Sequence, residues 1–274
     1  YFKGVMGVSE TASKRKTLSS LELSKSTSQN SSLKIYTLKE LKLLFRTPIY
    51  FMNCVLMNFL WPIILLIPIF SQKGGSSILN TSTKFLQNSR ITGVALGGFF
   101  AFIVFISCSN SISTTAISRE GKNLFILKYL PMKYKDQLMA KVLSAVILGL
   151  AGMLTIIILG IVLLKLPLDL ILLMLVVGSL GILFTSFIGI FIDLNFPKLH
   201  WDTEQKVVKQ NLNVLISMII CIALGALIVF IIIKFKLIKW TAFALIVVFC
   251  AILDLVLYYQ LGTKGVAMLR KIES

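Results

Sequence analysis

Asp193, His200, Asp202 and Glu204 bring three carboxylates and an imidazole into one short stretch, the raw material of a hydrolytic or metal site. His200 is the only histidine, however, so any mechanism that needs two imidazoles is excluded. An enzyme would rest on Asp193, His200 and Asp202; carboxylates scattered on a polar loop are ordinarily solvated, and that reading is preferred. Asp254 is a candidate of another kind, an acid inside an apolar run, where a carboxylate faces a helix partner or a wet cavity. It supports either an ion-coupled secondary transporter or structural pairing, with Tyr258 at i+4 as a companion. Phosphate chemistry finds no support. Glu120-Gly121-Lys122-Asn123 is the nearest approach to a nucleotide-binding loop and lacks the upstream glycine and the magnesium-holding hydroxyl, so this chain is not expected to bind ATP, a metal or another cofactor itself. Cys54, Cys108, Cys221 and Cys250 lie in apolar runs without short mutual spacing and read as packing residues.

The elements that must position these groups are dictated by composition. The chain of 274 residues is 57% hydrophobic and 14% charged, with a mean hydropathy of +0.89, values foreign to a protein folded in water. Apolar stretches near 50–70, 92–117, 142–164, 168–192, 212–233 and 240–259 are each about 20 residues or more, enough to cross a hydrocarbon core of roughly 30 Å as helices. The expected fold is therefore an all-α integral membrane protein, a six-helix transmembrane bundle over residues 48–274. Lys165-Leu166-Pro167-Leu168-Asp169 is so short a break that the third and fourth spans must form a tight hairpin. Small residues at helix-packing spacing, Gly93, Gly97 and Ala101, then Gly181, Thr185 and Gly189, provide close-approach rows for the bundle or a dimer seam. Before the first span, residues 1–32 are polar and read as a flexible linker or tail, in a chain that is either one unit or the second half of a longer protein. Residues 33–47 follow, with Leu38, Leu41 and Phe45 beside Lys39, Lys42 and Arg46, adjacent apolar and basic stripes suited to an interfacial elbow helix that Pro48 re-aims.

The net charge of +17 calls for an anionic partner. Basic residues flank the spans without interleaved aromatic platforms, which favours anionic lipids and argues against nucleic acid. With both termini cytoplasmic, 21 of the 28 basic residues fall inside and seven outside, which fixes the expected orientation in the cell membrane. The loop at 118–141 is the informative polar segment. A helix from about Lys122 to Tyr129 sets Phe125 and Tyr129 one turn apart, bracketed by charge and stopped by Leu130-Pro131, as a docking knob.

Ser118-Arg119-Glu120-Gly121 followed by Lys128-Tyr129-Leu130-Pro131 resembles the permease subunits of bacterial type-two ATP-binding-cassette exporters. Asp193-x-x-x-Pro197-x-Leu199-x-Trp201 and Lys209-Gln210-x-x-Asn213 are similar to a second pattern of the same permeases, and the likeness covers roughly residues 33–274. It implies a transport subunit rather than an enzyme, with ATP and Mg on a partner ATPase. It also implies that a second six-span unit, another chain or the other half of a longer one, faces this unit across the path. Arg119, Glu120, Gly121, Lys122, Phe125, Tyr129 and Pro131 would form the ATPase-coupling loop, and Asp193, Pro197, Trp201 and Lys209 the second cytoplasmic loop.

Overall fold

The computed structural model describes residues 31–71 and 88–272. The expected linker over 1–32 lies outside the described residues except for its last two. Among the described residues the regular elements are all helical: α1 (Ser32–Arg46), α2 (Met57–Ser71), α3 (Ser89–Ser109), α4 (Leu124–Tyr129), α5 (Tyr134–Leu164), α6 (Leu168–Asn195), α7 (Glu204–Lys209), α8 (Leu212–Lys234), α9 (Lys239–Gln260) and α10 (Val266–Lys271). Among the described residues five helical stretches, Ser89–Ser109, Tyr134–Leu164, Leu168–Asn195, Glu204–Lys234 and Lys239–Lys271, are long and apolar enough to cross a membrane. Their character is that of a multi-pass membrane protein. Ser32–Arg46 and Pro48–Ile64 together match a sixth in length and apolarity but are bent by 87°. The bend falls at Thr47, held extended by the proline that follows it.

Two boundaries follow local chemistry that hydropathy does not register. α3 stops at Ser109, short of the apolar run's end at 117, because hydroxyl and amide side chains compete for the backbone beyond it. Asn110 Oδ1 accepts from the Ile112 amide at 3.0 Å, Thr115 Oγ1 donates to the Ser111 carbonyl at 2.6 Å, and Ser111 is left-handed at φ 59°. α5 starts at Tyr134, earlier than expected, since its polar first turns continue the helix beyond the apolar stretch. The hairpin between α5 and α6 is as tight as the sequence requires: Lys165 turns left-handed at φ 49° and Pro167 precedes α6. At that end Lys239 pairs with Asp169, joining the starts of α6 and α9.

α3 is the central post, packed on α6, α8 and α9, while α5 joins α6 to α1 and α2. Leu96, Phe100, Val104, Val177, Ile228 and Ile246 fill the seams around α3. The small-residue rows serve inside this bundle: Gly93 lies under the Leu237 carbonyl, Gly97 against Ile232, Gly181 against Val104 and Phe100, and Gly225 against Ala101. The four cysteines are free and buried, as packing residues should be. Asn58 of α2 crosses to α5, donating to the Leu148 carbonyl at 2.6 Å in the space left by the missing side chain of Gly152.

That contact generates a test. Gly152→Leu should drive Asn58 off its carbonyl and lower stability by about 1–3 kcal/mol, whereas Gly98→Leu, with open space around the position, should be near neutral. Thermal unfolding of the purified variants in detergent would give the comparison; equal shifts would mean that α2 is not seated on α5.

Candidate functional site

The chain between α3 and α4 does not run over the surface as a connection ordinarily does. Residues 110–119 are buried, and a 3-10 turn, Ser118–Asn123, leads into α4. Buried irregular backbone needs partners for its peptide groups, and two side-chain networks supply them.

The first is centred on Asp193, in the last turn of α6. A carboxylate at a helix C-terminus opposes the helix dipole, so other donors must hold it. Asp193 Oδ2 accepts from the Ile117 and Ser118 amides at 2.6 and 3.0 Å, and Oδ1 accepts from the Ser118 hydroxyl and from Asn213 Nδ2, the latter at 2.9 Å. Trp201 Nε1 donates to the Ser118 carbonyl at 3.0 Å, and the Lys198 amide donates to Ser118 Oγ at 2.9 Å. Gly121 completes the joint with φ 53° and ψ −133°, a conformation that disfavours any side chain; a Cβ there would stand 2.9 Å from the Trp201 ring.

The second network is ionic. Lys141 Nζ of α5 lies 2.9 Å from Glu40 Oε1 of α1 and 2.6 Å from Glu120 Oε1, and donates to the Ala116 carbonyl at 2.9 Å. Lys39 reaches the same carboxylates at 3.2 and 3.0 Å, and Tyr36 donates to Glu120 at 3.4 Å. Arg119 donates to the Ile112 carbonyl and to Thr115 Oγ1, both at 2.7 Å, with its guanidinium over the Tyr50 ring. Burial pushes the Glu120 carboxyl up, but Lys141 and then Lys39 outweigh it and hold the group down at about 2. Burial pushes the Tyr36 phenol up to about 12, keeping it a neutral donor. Removing one member of such a buried pair costs about 3–5 kcal/mol, whereas the exposed Lys206–Asp202 pair is screened by solvent.

The expected coupling-loop residues thus divide. Arg119, Glu120 and Gly121 turn inward into these networks, while Lys122, Phe125, Tyr129 and Pro131 stay exposed. Tyr129, 83% exposed, meets Phe125 edge-on with ring centroids 6.4 Å apart, the one-turn pair expected. Asp193, read as a solvated loop acid, is instead fully buried, because α6 continues past it and carries it beneath the preceding loop. Pro197 and Trp201 follow in the bend that brings the indole to Ser118; Lys209 is exposed. His200 and Asp202 remain at the surface, and among the described residues no group of three His, Cys, Asp or Glu side chains is placed to hold a metal ion. Asp254 is buried in α9 with neither oxygen hydrogen-bonded among the described residues; Tyr258 meets Phe187 edge-on instead.

Glu40 and Lys141 escaped sequence reasoning as ionic partners. Their signal was rarity: Glu40 is the only acid between residues 23 and 119, and Glu120 the next. No family model, curated protein or solved structure matches this chain.

The depressed Glu120 carboxyl sets a pH dependence. A group held below its ordinary value of 4.5 contributes stability that is fully present above that pH and is lost as pH falls toward 2. Wild-type protein should lose more thermal stability than Glu120→Gln across this window; parallel pH profiles would show that the ion cluster is not formed.

Proposed function

We propose that the chain is the membrane-spanning permease of an ATP-driven exporter of the type-two class, moving substrate across the cell membrane on energy received from a separate ATPase subunit. In this reading α1 is the interfacial elbow, the bent Pro48 segment and α2 are the first of six spans, and both termini face the cytoplasm. A second six-span unit completes the path.

The observation that carries the reading is the two-sided loop. Its inner part is bonded to α1, α5 and α6, and through Asp193 to the start of α8, and its outer part presents Phe125, Ile126 and Tyr129 to the surroundings. A displacement applied to α4 would therefore move several helices rather than be absorbed by slack chain, which is what coupling a partner's motion to a path requires. A cavity of about 600 Å³ beside the knob, lined by Tyr36, Lys39, Arg119, Ile126 and Leu130 among others, offers the partner a cleft. Leu38 and Phe45 on α1 are exposed beside Lys39, Lys42 and Arg46, as an interfacial helix needs. The two sequence patterns that carry the family resemblance also meet in space, through Ser118, Asp193, Asn213 and Trp201.

Asp254 sustains the second reading, an ion-coupled carrier, since its buried carboxylate lacks a bonded partner among the described residues. One experiment separates the two. In liposomes holding the chain and its co-purified ATPase, Phe125→Ala/Tyr129→Ala should cut ATP-dependent export tenfold or more, roughly the loss of a pair of aromatic anchors, while Asp254→Asn retains most of it. Full export by the double variant, or export abolished by Asp254→Asn and collapsing with the proton gradient at constant ATP, would overturn the exporter reading.

A further inference from the structure

On the same end of the bundle as the loop network, three cationic side chains from different elements line one cavity of about 560 Å³: Lys133 before α5, Lys135 in its first turn, and Arg270 of α10. None of them forms an ion pair with a described carboxylate, Asp136 next to Lys135 included. Two rest on rings instead, Lys135 Nζ 4.7 Å from the centroid of Tyr258 and the Arg270 guanidinium 5.4 Å from that of Tyr134. An aromatic face steadies a cation without neutralising it, so the cavity keeps its positive charge. Gly262, in the π-helical turn Leu261–Gly265, leaves room at its wall; a Cβ there would stand 3.4 Å from the Lys135 side chain.

The surroundings distinguish this cavity from an anion site in open solvent. Tyr258 and Tyr259 lie where α9 passes from apolar to polar sequence, the position of aromatic residues at a membrane–water boundary. From there toward the apolar part of the helix, Ile252, Leu255 and Val256 are exposed. A positive cavity at the headgroup level, beside an uncovered apolar helix face, fits an amphiphile with an anionic head. The geometry points to a specific anionic-phospholipid site, the headgroup phosphate lying among Lys133, Lys135 and Arg270 and the acyl chains running along α9. The site is independent of any transport mechanism.

Native mass spectrometry of the purified full chain with added phosphatidylglycerol or phosphatidylcholine tests it. Wild-type protein should retain phosphatidylglycerol in clear preference, and inorganic phosphate should not displace it. Lys133→Gln/Lys135→Gln/Arg270→Gln should weaken retention about fivefold for each charge removed, whereas Lys165→Gln/Lys234→Gln/Lys236→Gln, an equal loss of charge after the far end of α5 and at the end of α8, should change it less than about twofold. No preference between the lipids in wild-type protein, a result that needs no variant, would overturn the assignment. So would equal losses in the two triple variants, which would make the attraction diffuse, or displacement by inorganic phosphate, which would make the cavity a free-phosphate site.

Discussion

Peptide groups that leave a helix inside an apolar bundle must be bonded, because neither lipid nor hydrocarbon side chains will do it. The segment after α3 meets that demand with charged and indole side chains. Asp193 takes the Ile117 and Ser118 amides, Lys141 serves the Ala116 carbonyl, Arg119 that of Ile112, and Trp201 that of Ser118. Magnitudes indicate why the charges are there. A buried ion pair is about neutral against a well-packed apolar replacement. An unbonded buried peptide group costs about 1–3 kcal/mol. Several such groups outweigh the pairs themselves, so Glu40 and Glu120 serve chiefly to make a buried Lys141 and Arg119 tolerable.

The segment's stiffness follows from the same bonds. Its partners come from α1, α5, α6 and the bend before α7, with α8 joined to it through Asp193, so it cannot shift alone. α4 then projects Phe125 and Tyr129 from a fixed base. A rigid base with an exposed aromatic tip is suited to receiving a partner's motion, and the same arrangement explains why Gly121 stands at the junction: the chain must turn back against Trp201 within van der Waals reach.

Length and apolarity made most of the helices legible, since both are local properties. The end of α3 was not, because Ile112, Ala116 and Ile117 prolong the apolar run while Asn110, Ser111 and Thr115 dictate a turn. The outward half of the loop after α3 was legible from the one-turn spacing of Phe125 and Tyr129. Its inward half was not: Arg119 and Glu120 look like solvated charges until α5 and α1 bring Lys141 and Glu40 to them. Asp193 was misjudged for the same reason, its amide donors lying 76 and 75 residues away in sequence. Such pairings depend on how helices assemble, which no single stretch encodes.

Hydrogen exchange across residues 110–121 measures the central claim most directly. If charged side chains hold this backbone, the Ile117 and Ser118 amides in the wild-type protein should be protected as strongly as those inside the apolar helices, and Asp193→Ala should release them while α3 and α6 stay protected. Exchange of Ile117 and Ser118 in wild-type protein at the rate of an open loop would contradict the account.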